Sequence, residues 1–220
     1  MIYMIFIAIV APLIMLMMLL KGNSKVTFGF TIIGISTTLV AYGVNSILNS
    51  LLNMSTLNFT VGITPVCEEL LKSMPVLVFV LLLSNKKQMI IEISMAVGIG
   101  FAVLENSYLL VSNYENINIA WAIIRGFATG LMHGMTTSIL GYGMIYVNNN
   151  KKLFYTGIFG LLSLSIMYHS LYNMLVQSSY YYIGFAMPIT TYCVVFVAIN
   201  KNRIMKKLGF GKKIEPKAIN

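Results

Sequence analysis

The sequence predicts an all-α, polytopic membrane protein of about seven transmembrane helices, with its N-terminus outside and its C-terminus cytoplasmic. Three observations carry that prediction. Hydrophobic residues make up 58% of the chain and charged residues 10%, with no Asp at all. That leaves too little polar surface to clothe a soluble domain of this length. The apolar stretches are long enough to cross a bilayer and are joined by short loops. Basic residues fall in every second loop, the pattern that sets orientation in a membrane.

Taken in order, the expected spans are residues 2–20, 27–50, 62–83, 88–111, 119–146, 153–176 and 180–199. The first has neither the positive leader nor the small-residue cleavage site of a signal peptide, so it is read as a retained span. The fifth is long for one crossing and is expected to tilt or to extend beyond the bilayer. No polar linker interrupts residues 1–200, which form a single transmembrane domain, and residues 201–220 form a basic cytoplasmic tail.

Lys21 and Lys25 lie in the first loop, Lys86 and Lys87 in the third, and Lys151 and Lys152 in the fifth. The second and sixth loops are uncharged, and the fourth holds only Glu115. The net charge of +9 therefore reports multi-pass orientation in a cell membrane and attraction to anionic lipid, and it argues against a nucleic-acid partner. Cys67 and Cys193 have no metal-ligand spacing and read as ordinary thiols within spans.

The informative residues are those that do not belong in a membrane helix. The third span contains Glu68, Glu69 and Lys72, although an acidic or basic residue at the bilayer centre costs roughly 2.5–3.5 kcal/mol on insertion scales. Other spans hold Glu105, Arg125, His133 and His169, with Asn106 and Asn173 beside them, while Glu92 is placed near the cytoplasmic interface. Traced along alternating helices, Glu68, Glu69, Glu105, Arg125, His169 and Asn173 reach the outer half of the membrane, and His133 lies near its middle. Scattered structural polar groups have no reason to agree in depth. The pairs Glu68 and Lys72, Phe101 and Glu105, His133 and Thr137, and His169 and Asn173 are each one turn apart on one helix face. Those faces must turn into the bundle. Gly126, Gly130 and Gly134 recur at the spacing that lets helices approach closely.

A polar pocket of this kind admits water, and a carboxylate in it can act as a general base on that water. Lys72 can hold one glutamate ionised while the other shuttles the proton. An imidazole and a carboxamide one turn apart can donate hydrogen bonds to a developing oxyanion. These are the parts of a hydrolase. A Ser-His-Asp set is excluded by the absence of Asp, and no HExxH zinc motif is present.

At these residues the chain resembles the PrsW family of intramembrane proteases, within the clan of CAAX-type prenyl proteases and bacterial relatives. The family signature EExxK, FxxxE, HxxxD is matched by EELLK at 68–72, FAVLE at 101–105 with Asn106 following, and HSLYN at 169–173. The stretch RGFATGLMHGMTTSILGYG, with Arg125 and His133, is similar to the family's fifth span, and APLIMLMMLLK to its first. By this resemblance Glu68 and Glu69 match the essential glutamate pair, one of them the general base, and Lys72 completes that motif. Glu105 matches the acidic residue of the second motif, His169 the essential histidine of the last, and His133 the recurring histidine between them. Asn173 stands where the family usually has Asp and the CAAX-type relatives have Asn, which keeps an oxyanion role open and puts a charged one in doubt. The resemblance implies cleavage of a single-span, membrane-anchored substrate such as an anti-sigma factor, near the outer half of the bilayer.

The expectation is thus an intramembrane endopeptidase of glutamate type that needs no cofactor. Zinc remains the open alternative, since Glu and His are also zinc ligands. Two other classes stay in view: a non-catalytic membrane scaffold of the same clan, and an ion- or proton-coupled transporter, for which intramembrane Glu, Lys and His also serve.

Overall fold

Within a bilayer every backbone polar group must be satisfied inside the protein, and short loops between spans leave helices as the available solution. The computed structural model describes residues 24–82, 86–113, 118–148 and 152–207, together with 12, 13, 15 and 115. Among the described residues the fold is all-helical, with six long helices and no strand. They are α1 (Ser24–Leu52), α2 (Thr64–Leu82), α3 (Lys87–Ser112), α4 (Gly130–Asn148), α5 (Phe154–Val176) and α6 (Tyr181–Lys207). The expected first span, 2–20, lies outside the described residues apart from positions 12, 13 and 15.

The observed helices match the other six expected spans, with three differences. The second loop is not irregular: Ser55 caps a short turn, Thr56–Asn58, and a π-helical turn, Phe59–Ile63, leads straight into α2. Phe59 is the buried anchor of that turn. The long fifth span is broken by a second π-helical turn, Arg125–Thr129, between the short helix Ile119–Ile124 and α4. At the other end of the chain α6 continues to Lys207, so the beginning of the expected tail is helical.

Three helices, α1, α3 and α5, are long and apolar enough to cross a membrane by length and composition. The 19-residue α2 carries Glu68, Glu69 and Lys72 and owes its place to the bundle around it. Its two sides are inverted relative to a helix in water. Leu70, Met74, Val78 and Leu81 are exposed, while Glu69, Lys72 and Val76 are buried. A lipid-facing exterior around a polar interior explains that arrangement.

The central helix is α3, which packs on α1, α2 and α4 and is buried almost without a break from Ile93 to Ala102. Small residues allow this. A Cβ on Gly100 would collide with the Thr31 carbonyl of α1, and one on Gly98 with the His133 carbonyl of α4. The glycines that the sequence singled out on the fifth span behave otherwise: Gly130 and Gly134 face side chains, of Pro12 and of Met95 and Ile99 respectively. Thr38 also donates to the Phe101 carbonyl across α1 and α3 (3.1 Å), and Ser165 to the Thr136 carbonyl across α5 and α4 (3.0 Å). Cys67 and Cys193 are unbridged thiols.

Candidate active site

Two π-helical turns flank the polar cluster, and each is held by a carboxamide from a neighbouring helix. Asn173 on α5 donates through Nδ2 to the Thr60 carbonyl (3.0 Å), and Asn106 on α3 donates to the Arg125 carbonyl (3.3 Å). A π-turn leaves its carbonyls poorly served by the helix itself, and such turns often sit at functional sites. Here the first turn feeds Glu68 and Glu69 into the bundle, and the second presents Arg125 and leads to His133.

The side chains then form one connected network. Glu69 Oε1 receives Lys72 Nζ at 2.6 Å, His169 Nδ1 at 2.8 Å and Thr136 Oγ1 at 3.2 Å. The other contact of Lys72 is His133 Nδ1, at 2.7 Å. Across the ring, His133 Nε2 meets Glu105 Oε2 at 2.6 Å, and Arg125 Nη2 closes on Glu105 Oε1 at 2.9 Å. The two imidazoles lie edge to face with centroids 4.9 Å apart. Lys72 and His133 have no exposure at all, and Lys72 also lies over the Phe101 ring. A fully buried ammonium is tolerable only with a carboxylate and a further acceptor beside it, and Glu69 and His133 are those partners.

Glu68 differs from its neighbour. Its Oε2 is buried and makes no hydrogen bond among the described residues. His169 Nε2 lies 3.8 Å from it, too far for a direct bond. A cavity of about 800 Å³ opens beside it, lined by Glu68, Glu105, Arg125, His169 and Asn173 from the cluster, a size typical of ligand sites. Its other walls come from the C-terminal halves of α1, α3 and α5, the N-terminal ends of α2 and α6, the first π-turn, and the short helix Ile119–Ile124 with its cap Asn118. It therefore opens at the end of the bundle away from Lys25, Lys86 and Lys152. Glu69, Lys72, His133 and Asn106 stand behind this wall.

The structure brings together the residues that the sequence assigned to the site, and it redistributes their partners. Lys72 pairs with Glu69, three residues away, and not with Glu68 on the i,i+4 face. His133 touches Lys72 and Glu105, whereas Thr137 reaches only its backbone carbonyl (2.8 Å). Asn173 gives one of its two amide protons to the Thr60 carbonyl. Glu92, near the start of α3, is buried and receives Gln88 Nε2 at 2.8 Å. Sequence reasoning missed Thr136, a hydroxyl among several on an apolar helix with no charge to mark it. It also missed Asn45 and Tyr108 of the cavity wall.

Comparison with known protein families gives a match to the one described as PrsW family intramembrane metalloprotease, over residues 22–199. The chain belongs to this PrsW family. Neither the curated proteins nor the solved structures compared with it give a match. Membership makes it an intramembrane protease by family, and the family description raises the question of a metal. Glu68, His133 and His169 each offer one donor atom, and these atoms lie within 4.8 Å of one another. Ligands of one tetrahedral zinc sit roughly 3.3–3.5 Å apart, given bonds of about 2.0–2.1 Å. Glu68 Oε2 and His169 Nε2, 3.8 Å apart, are near that spacing and are unengaged there. His133 has both ring nitrogens committed, one to Lys72 and one to Glu105. The donor set thus fits a divalent ion at Glu68 and His169, with His133 a third ligand on giving up one of its present partners.

Proposed function

We propose that the protein is a multi-pass protease of the cell membrane that cuts a single-span, anti-sigma-factor-like substrate near the outer half of the bilayer, using water activated by Glu68. The observation that carries the reading is the buried, unpartnered Glu68 Oε2 facing His169 Nε2 across 3.8 Å on the cavity wall. A separation of that length is what one water bridges, hydrogen-bonded to both atoms. Glu68 takes a proton from that water as its oxygen attacks the scissile carbonyl, and returns the proton to the amine nitrogen as the C–N bond breaks. Arg125, on the same wall and tied to Glu105, supplies positive charge toward the oxyanion. Glu69 stays ionised against Lys72 and orients His169. The expected N-outside orientation puts the cavity at the outer face, where an extracytoplasmic cut would be made.

A second reading follows from the family description and the Glu68, His133 and His169 group: these residues would hold a divalent ion. Such an ion would supply Lewis-acid polarisation of the scissile carbonyl. The test is cleavage of single-span anti-sigma-type substrates in reconstituted membranes, comparing wild type with Glu68→Gln and His169→Ala, each with and without chelator. Loss in both variants with chelator-resistant wild-type activity supports the glutamate reading. Loss on chelation with recovery on Zn²⁺ supports the metal reading, and equal cleavage by all three proteins removes the site. A scaffold or a transporter would show no Glu68-dependent cleavage.

A further inference from the structure

Lys72 touches neither the cavity nor the proposed water, yet it contacts both halves of the network. We infer that Lys72 is a positioning residue that fixes the two histidines of this chain in opposite tautomers. The donor and acceptor inventory dictates the assignment. An ammonium has only protons to give, so His133 Nδ1, 2.7 Å from Lys72 Nζ, must accept. The ring proton of neutral His133 then sits on Nε2, where Glu105 Oε2 receives it at 2.6 Å. A carboxylate has only lone pairs, so His169 Nδ1, 2.8 Å from Glu69 Oε1, must donate. That leaves His169 Nε2 with its lone pair turned toward Glu68. Lys72 secures this second assignment as well, because its 2.6 Å pairing holds Glu69 as the carboxylate that His169 needs.

The consequence is a division of labour between the imidazoles. His133 is a strut between Lys72 and Glu105, and through Glu105 it holds Arg125 at the cavity wall. His169 is the imidazole with an open nitrogen. The arrangement is the same whether Nε2 meets water or a metal ion, since either needs a bare lone pair there and a proton on Nδ1.

His133 and His169 are the chain's only histidines, which makes the test direct. Uniform ¹⁵N-histidine labelling of the full-length protein in proteoliposomes should give one ring protonated at Nε2 and one at Nδ1. Two rings of the same tautomer would overturn the inference without needing any variant. Lys72→Met, which nearly keeps the length of the side chain and removes its protons, should leave the His133 proton on Nε2, where Glu105 still receives it. His169, whose partner Glu69 is no longer held as a carboxylate by Lys72, should become a mixture of tautomers; His169→Ala assigns the two signals. An unchanged His169 would equally overturn it. The kinetic arm rests on the proposed function: kcat for Lys72→Met should fall about 100-fold, the upper scale of an outer-shell partner, with KM within about twofold because Lys72 does not line the cavity. A raised KM at unchanged kcat would contradict a positioning role. The labelling arm uses no substrate, so the tautomers can fail while the protease reading stands, and the reverse.

Discussion

The backbones of α3 and α4 touch where Gly98 meets His133: a Cβ on Gly98 would collide with the His133 carbonyl oxygen and lie 2.8 Å from Gly134 Cα. The contact is backbone on backbone, so no side chain can swing aside. Gly98→Ala should push the helices apart at the level of the site, costing about 1–3 kcal/mol as overpacking does. It should also lengthen the His133 to Glu105 bond and lower cleavage. Gly29→Ala, which has open space around it, should leave both stability and cleavage within error. Thermal unfolding in detergent beside a cleavage assay separates the two variants.

Glu68 and Glu69 are adjacent in sequence and should respond oppositely to the same change. Glu69→Gln leaves the fully buried Lys72 ammonium without its carboxylate, and breaking such a pair costs about 3–5 kcal/mol. Glu68→Gln removes no hydrogen bond among the described residues, so the fold should stay within about 1 kcal/mol of wild type while cleavage is lost. Unfolding midpoints of the two variants, measured beside their activities, check the assignment.

The π-helical turns should loosen one at a time. Asn173→Ala frees the Thr60 carbonyl and Asn106→Ala frees the Arg125 carbonyl, each at about 0.5–1.5 kcal/mol. Amide hydrogen exchange should quicken over Phe59–Ile63 in the first variant and over Arg125–Thr129 in the second, and not in the converse segments.

Orientation can be read by labelling single cysteines in a protein whose Cys67 and Cys193 are replaced by Ala. A cysteine at Ser178, in the loop at the cavity end, should react with an impermeant maleimide added outside intact cells. One at Lys152, at the opposite end, should react only after permeabilisation. The reverse pattern would move the cavity to the cytoplasmic half and end the proposal of an extracytoplasmic cut.

Much of this protein is written in its residue types. Apolar length specifies the helices and their order, because lipid leaves the backbone no other partner, while the alternating basic loops carry the expectation of direction that cysteine labelling tests. Glu68, Glu69, Lys72, Glu105, Arg125, His133 and His169 stand out for the same reason, since each is too costly in a bilayer to be there without partners. What the sequence does not determine is who those partners are. Helical spacing pairs Glu68 with Lys72, yet the rotation of α2 against α4 gives Lys72 to Glu69 and His133. The π-turns at Phe59–Ile63 and Arg125–Thr129 leave no local sign, because they depend on carboxamides arriving from α5 and α3. Likewise, the close approach of α3 to α4 rests on Gly98 as well as on Gly134 of the fifth-span glycine repeat, and Gly98 carries no spacing signal that marks it. Residue chemistry alone determined which groups must be buried together. Tertiary packing decided which of two adjacent glutamates is clamped and which faces the cavity, because a rotation of one helix by a single residue position exchanges them.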